Sequence, residues 1–291
     1  SAREHAPAEP CHGHKRPHYA HVLEVDDNRS RALTRKRRRH ESFDVPEWTR
    51  IKQSFDASAL SDVPGAVKEA MAKSGIELKE GNTVALTVGS RGVANVAAIT
   101  RAVADWCKEQ GASPFVVPSM GTHGGATAEG QQEMIEGLGC TEEALGCPIR
   151  STLGDEVELP RGELPCPVLH DRAASEADAC IVINRIKPHT QVGTADFVKE
   201  QPFQSGLFKM MVIGLGNNAQ ATELHAGNYP RRMCELMPAV ARQKVALSMD
   251  GSGLCNIVGG LGIVETAAAM RTKPAAQPKK YREGAVVEVK C

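Results

Sequence analysis

The sequence lacks the features that mark membrane proteins, disulfide-rich proteins and strongly charged proteins. No apolar run approaches the roughly 18 residues that a membrane-spanning helix needs, and the N-terminus has no apolar core of a secretory signal. The nine cysteines include no CxxC pair, which in a 291-residue chain favours reduced thiols over a disulfide framework. Lys plus Arg equals Asp plus Glu, so no net charge favours a nucleic-acid partner. These absences predict a cytoplasmic protein without membrane or nucleic-acid partners.

The first 45 residues differ in composition from the rest of the chain. Residues 1–40 hold ten Lys or Arg against five Asp or Glu, and residues 1–45 hold six of the ten histidines. Such a segment cannot bury enough apolar surface to offset chain entropy, so we expect a disordered, basic, His-rich tail over 1–45. Its basic run Arg35–Arg39 and its Cys11–His14 cluster leave nucleic-acid or metal contact open as alternatives to a solvated tail.

From Pro46 the patterning becomes globular, and we expect one domain over 46–270 and a polar tail over 271–291. The β-branched run Thr83–Val88 predicts a strand, and a helix over 94–110 follows it. A second strand over 115–117 precedes a helix that Thr127 caps. This alternation of strand, polar loop and helix predicts an α/β fold with a parallel-dominated, Rossmann-like sheet and helices on both faces. The other expected elements are helices over 64–73, 219–227 and 231–243 and strands over 157–159, 168–169, 181–183, 245–248 and 257–264.

Polar loops follow three of the predicted strands, and each loop contributes one basic or imidazole side chain. Arg91 follows the first strand, His123 the second and His189 the third. The carboxyl ends of parallel strands meet at one edge of a sheet, where ligands usually bind, so we expect these three residues to share a cleft. A single loop histidine is more often a surface residue, but three such loops together indicate a site.

Two of these loops are rich in glycine. Glycine lets the backbone approach a ligand, and amide groups at helix N-termini suit a phosphate or carboxylate. We therefore expect Ser90, Gly124 and Gly125 to contribute to a cofactor cradle.

A lysine in an apolar run follows the third loop. Ser205 and Gly206 predict a turn into a helix that carries Lys209 within the apolar run Leu207–Met211. A lysine in such surroundings is easily desolvated, which is one way to make its amine reactive. The pattern is equally compatible with a partly exposed lysine, and His225 with a histidine on a helix surface.

The ordered set of motifs resembles the nickel-dependent lactate racemase family over about residues 46–270. The motifs that carry this resemblance are Gly89–Gly92, PSMGTHGGATAEGQ (118–131), NRIKPHT (184–190), SGLFKMMVIGLG (205–216) and His225. The resemblance implies a nickel-pincer nucleotide, which is a pyridinium mononucleotide with two sulfur arms. It also implies that Lys209 tethers this cofactor and that His225 ligates nickel. His123 and His189 would act as acid/base groups, and Arg91 would bind the substrate carboxylate.

The implied function is racemisation or epimerisation of a 2-hydroxy acid by hydride transfer. The implied partners are this small substrate and the enzymes that synthesise the cofactor, and a homo-oligomer stays open. The chain departs from the family pattern at Val88, where the family has aspartate, and at Gly124, where it has arginine. The family's second domain is also expected to be missing. Two alternatives therefore stay open, namely another nickel-pincer reaction (dehydration or redox) and a non-catalytic module that binds a mononucleotide or a sugar acid.

Overall fold

The computed structural model describes residues 59–91, 93–187, 206–226, 229–265 and 285–289. The chain divides after Gln53, and all of the described residues belong to the unit that follows. The tail predicted over 1–45 and the candidate acid/base residue His189 therefore lie outside the described residues.

Within these ranges, seven strands form two sheets. They are β1 (Thr83–Val88), β2 (Ser113–Pro118), β3 (Glu156–Leu159), β4 (Val168–Asp171), β5 (Ala179–Arg185), β6 (Ile257–Glu265) and β7 (Ala285–Val289). The main sheet has the order β2-β1-β5-β6-β7, and its first four strands are parallel. Strand β7 is antiparallel to β6, and β3 and β4 form a separate antiparallel pair. The predicted Rossmann-like α/β fold with a parallel-dominated sheet is confirmed.

Eight α-helices are described within these ranges, and some of them begin at a side chain that caps the first turn. They are α1 (Val63–Ala72), α2 (Val96–Glu109), α3 (Ala128–Glu136), α4 (Glu142–Leu145), α5 (Arg172–Ser175), α6 (Leu207–Lys209), α7 (Asn217–His225) and α8 (Tyr229–Met249). Asp62 caps α1 by accepting a hydrogen bond from the Gly65 amide at 2.9 Å. Thr127 caps α3 in the same way, with its hydroxyl 3.0 Å from the Gly130 amide.

Helices cover both faces of the main sheet. Side chains along each strand alternate between these faces and therefore contribute to two hydrophobic clusters. Leu86 and Ile181 point into the cluster that contains α1 and α2. Phe115 and Val182 point into the opposite cluster, which contains α7 and α8. The buried strands therefore read as nearly continuous apolar runs, as expected for a parallel sheet covered on both sides.

The structure differs from the sequence-based prediction in three places. The predicted strand over 245–248 is wrong, because helix α8 continues to Met249 and buries Val240, Lys244 and Leu247 at helical spacing. The helix expected around Lys209 is a single α-turn, α6, followed by a π-helical turn over Met210–Gly214. The expected polar tail over 271–291 contains strand β7.

The order of the strands places a topological switch between β1 and β5. The chain leaves β1 to form β2 on one side, and later returns to form β5 on the other side. In open parallel sheets, ligands bind in the crevice outside the carboxyl ends at such a point. A search of the described helices for one long and apolar enough to cross a membrane found none.

Candidate functional site

A cavity of about 210 Å³ lies at the carboxyl ends of β1, β2 and β5. Three loops that follow these strands form part of its wall, and α6, the π-turn and α7 form the rest. The cavity therefore occupies the switch point of the sheet. Its lining includes five of the residues selected from the sequence, which are Ser90, Arg91, His123, Lys209 and His225.

The loop after β1 brings Ser90 and Arg91 to the cavity. The Ser119 amide donates to the Val88 carbonyl at 2.8 Å, which holds the ends of β1 and β2 together. The Ser90 hydroxyl forms a short hydrogen bond with Nδ1 of His123. These contacts join the first two loops into one wall of the cavity.

The loop after β2 carries His123 on a backbone that needs glycine. Gly121 has φ +63°, in the left-handed region that side chains other than glycine rarely adopt. Gln131, on α3, is buried and donates from its amide to the Gly121 carbonyl at 2.8 Å and to the His123 carbonyl at 3.4 Å. The helix after the loop therefore fixes the position of the imidazole.

The two glycines predicted to contribute to a cofactor cradle lie in the segment between His123 and α3. Gly124 and Gly125 form a 3₁₀ turn behind His123, and neither is among the described residues that line the cavity. A Cβ on Gly124 would lie 2.7 Å from backbone atoms of Gly130 and Gln131. Gly124 therefore allows close packing of the loop against α3.

His123 lies in surroundings that disfavour its charged form. Burial, together with the positive charges of Arg91 and Lys209, lowers the pKa of His123 below its ordinary value. The neutral form of the imidazole is therefore favoured, and in this form the ring can accept a proton at one nitrogen and donate from the other.

The end of β5 contributes Asn184, Arg185 and Lys187 to the cavity wall. Arg185 is buried and forms an ion pair with Glu265, the last residue of β6. The other carboxylate oxygen of Glu265 accepts a hydrogen bond from the Ala94 amide at 2.6 Å. Glu265 therefore links β5, β6 and the segment that follows Arg91.

Lys209 reaches the cavity from the last residue of α6. The side-chain amide of Asn184 donates to the Gly206 carbonyl at 2.7 Å, which ties the start of α6 to the end of β5. Burial and the positive charges of Arg91 and Lys187 lower the pKa of Lys209. Its amine is therefore easier to deprotonate, and so more nucleophilic near neutral pH, than that of an ordinary lysine.

His225 lies at the end of α7, and its ring is oriented by its own helix. Nδ1 donates a hydrogen bond to the Ala221 carbonyl, since a carbonyl can only accept. In the neutral ring this arrangement places the lone pair on Nε2. Metal-ligating histidines commonly show this arrangement, in which the other ring nitrogen donates to a carbonyl or carboxylate.

The cavity wall is positively charged. Among the described residues that line it, Arg91, Arg185, Lys187 and Lys209 are basic and none is Asp or Glu. The described part of the chain contains no cluster of three or more His, Cys, Asp or Glu able to hold a metal ion. The site therefore suits an anion, and the described residues alone do not complete a metal site at His225.

Comparison with known families gives one match. A family model described as a domain of unknown function, DUF362, matches residues 88–256, which is more than half of the chain. The chain belongs to the DUF362 family. All of the described residues that line the cavity fall within the DUF362 segment. A search of curated proteins found no match to this DUF362 protein.

The structure brings together the predicted residues Ser90, Arg91, His123, Lys209 and His225 at one DUF362 cavity. Sequence reasoning missed the residues that hold them there, above all Gln131 and Glu265. Gln131 has a weak signal in the sequence, because it is a polar residue on the buried side of a predicted helix. Glu265 has none, because its partner Arg185 lies 80 residues away in the chain.

Proposed function

We propose that the protein is a cytoplasmic isomerase that racemises or epimerises a 2-hydroxy acid with a nickel-pincer nucleotide. One observation carries this proposal. An arginine, an imidazole with a lowered pKa, a lysine with a lowered pKa and a second, oriented imidazole surround one cavity at the switch point of the sheet.

The residues present are compatible with the proposed cofactor. The Lys209 amine lines the cavity and is made more nucleophilic by its surroundings, which suits a covalent tether. Nε2 of His225 carries the lone pair that a nickel ligand needs, and imidazole suits nickel beside sulfur. Basic residues suit the phosphate and carboxylate groups of a mononucleotide. When bound, the cofactor would supply an electron-poor ring that takes the C2 hydrogen as hydride and returns it.

The protein's own residues would bind the substrate and move a proton. The planar guanidinium of Arg91 can hold a carboxylate by two hydrogen bonds, which fixes the reacting carbon. Nε2 of His123 would accept the proton of the substrate hydroxyl and return it in the reverse direction. The Ser90 hydroxyl can both donate and accept, so it can support either tautomer of His123 as the proton moves. His189 is proposed as the equivalent base for the opposite enantiomer.

A second candidate function is a non-catalytic module that binds a small organic anion. The size of the cavity favours it, because about 210 Å³ lies below the roughly 300–1,000 Å³ of typical sites for drug-sized ligands. A small sugar acid or hydroxy acid fits this volume, whereas a mononucleotide with a substrate would need additional space.

Cofactor loading distinguishes the two candidates. We would produce the protein with and without the enzymes that synthesise the cofactor, and measure bound nickel and intact mass. The isomerase proposal predicts one nickel per chain and a mass increase that Lys209→Ala abolishes. In His225→Ala, nickel should be lost while the added mass remains. Unchanged mass and no nickel after co-production, together with tight binding of small hydroxy acids to the unmodified protein, would favour the binding module.

A further inference from the structure

The π-turn beside Lys209 leaves one backbone carbonyl outside the pattern of helical hydrogen bonds. The Leu215 amide donates to the Met210 carbonyl at 2.9 Å, five residues back. The next amide, that of Gly216, donates to the Val212 carbonyl at 3.0 Å, four residues back. The carbonyl of Met211 lies between these two acceptors and is skipped. A buried carbonyl without a donor costs about 1–3 kcal/mol, so the turn needs a donor from elsewhere.

Lys244 of helix α8 supplies this donor from the protein interior. Its Nζ donates to the Met211 carbonyl at 2.7 Å and lies 3.3 Å from Nδ1 of His170. Lys244 and His170 are both completely buried. Burial lowers the pKa of Lys244 to about 8, which shows how poorly this interior accommodates an ammonium. A lysine is rarely fully buried, so its presence here indicates a specific requirement.

The π-turn determines which residues face the cavity. Lys209 and Gly214 both line it although they are five residues apart. In an α-helix, at about 100° per residue, they would point about 140° apart and could not both do so. A π-turn adds one residue to the turn and brings the two positions to the same side. If the turn relaxed to α-helix, the Leu215 amide would donate to the Met211 carbonyl instead. Lys209 and Gly214 would then no longer both face the cavity.

We propose that Lys244 is a positioning residue, which holds the π-turn and thereby sets the direction and surroundings of the Lys209 amine in the cavity. Lys244 acts from the opposite side of the turn, through the Met211 carbonyl. This inference concerns the chain's own residues and does not depend on the identity of the cofactor or the reaction.

The test measures the amine of Lys209 directly. Competitive acylation with trace acetic anhydride, followed by peptide mass spectrometry over a pH series, yields the pKa and relative reactivity of individual lysines. Exposed Lys79 is the internal reference. In Lys244→Met, which keeps the length of the side chain but removes the donor, we expect the pKa of Lys209 to rise by about one unit. Such a rise means an acid dissociation constant of the Lys209 ammonium about tenfold smaller.

A second variant and a matched control keep this test decisive if Lys244→Met folds poorly. The double variant His170→Leu with Lys244→Met replaces both members of the buried contact by apolar groups, a change that is often nearly neutral for stability. It should show the same rise in the pKa of Lys209. Arg242→Met, at an exposed position on the same helix, should leave Lys209 unchanged. An unchanged pKa and reactivity of Lys209 in either folded variant would overturn the proposal.

Discussion

The buried ion pair between Arg185 and Glu265 should be the most sensitive charged contact beside the cavity. The Arg185 side chain is 8% exposed and that of Glu265 is 1% exposed, so water compensates poorly for the loss of either partner. Removing one member of such a pair leaves an uncompensated buried charge and costs about 3–5 kcal/mol. Glu265→Ala also removes the oxygen that accepts a hydrogen bond from the Ala94 amide, and this hydrogen bond is worth about 1 kcal/mol. Glu265→Gln retains an oxygen that can accept it. We therefore expect Glu265→Ala to be the more destabilising of the two variants.

Urea unfolding followed by fluorescence measures this effect. The chain has two tryptophans, and Trp106 is buried in helix α2. A Trp48→Phe background leaves Trp106 as the sole reporter. Since proteins of this size are stable by about 5–15 kcal/mol, a loss of 3–5 kcal/mol should shift the midpoint strongly while the slope stays constant.

The exposed pair between Lys73 and Glu69 provides the control, because its side chains are 73% and 67% exposed. Glu69→Ala should therefore leave the unfolding midpoint almost unchanged, because exposed ion pairs contribute little to stability. Adding Arg185→Met to Glu265→Ala should restore part of the lost stability, because no buried charge then remains. The reasoning is refuted if Glu265→Ala costs no more than Glu69→Ala, or if the double variant is as unstable as the sum of both single variants.

Three further predictions concern the cavity itself. Arg91→Met should raise the pKa of His123, because it removes a positive charge that disfavours the imidazolium, and NMR titration of the ring protons measures this. Ser90→Ala should change the ratio of His123 tautomers about fivefold, as the loss of a hydrogen bond worth ~1 kcal/mol implies, and ¹⁵N chemical shifts report this ratio. Gly214→Ala should destabilise the fold by about 1–3 kcal/mol in thermal or urea unfolding, because its Cβ would lie 2.5 Å from the Met210 sulfur.

Each of these predictions has a control and a contradicting outcome. Exposed Arg161→Met should leave the His123 titration unchanged, and an unchanged titration in Arg91→Met would contradict the charge argument. Identical ¹⁵N shifts before and after the Ser90 substitution would show that the hydroxyl does not influence the tautomer. Gly139→Asn is the glycine control, since its position has open space and asparagine tolerates its left-handed backbone. Equal stability of the Gly139 and Gly214 variants would refute the packing argument.

The sequence predicts the four parallel strands of the main sheet and two loops of the cavity wall because both depend on local patterns. The β-branched run Thr83–Val88 predicts β1 with its observed bounds. Polar residues after parallel strands must gather at one edge, so the pattern alone predicts that Arg91 and His123 meet, as they do at the cavity. The cradle role of Gly124 and Gly125 stays a prediction, because a glycine that serves packing and one that faces a ligand look the same in sequence.

What could not be predicted depends on contacts between distant residues. The π-turn is stabilised by Lys244, which lies 33 residues after Met211 and whose charge interrupts the apolar pattern at the end of α8. This interruption makes 245–248 resemble a separate strand, whereas in the structure Lys244 is buried and the helix continues through it to Met249. The Arg185–Glu265 pair joins the ends of two strands and has no local signature.

A chiral assay of the loaded protein tests the proposed isomerase most directly. Protein that carries nickel and the added mass on Lys209 would be incubated separately with the L and D forms of a panel of 2-hydroxy acids. The proposal predicts convergence to the same one-to-one mixture of enantiomers from either side for at least one acid. In His123→Ala, with loading intact, conversion should be slower by about 10²–10⁴-fold. Fully loaded wild-type protein that leaves every acid of the panel optically unchanged would contradict the proposal.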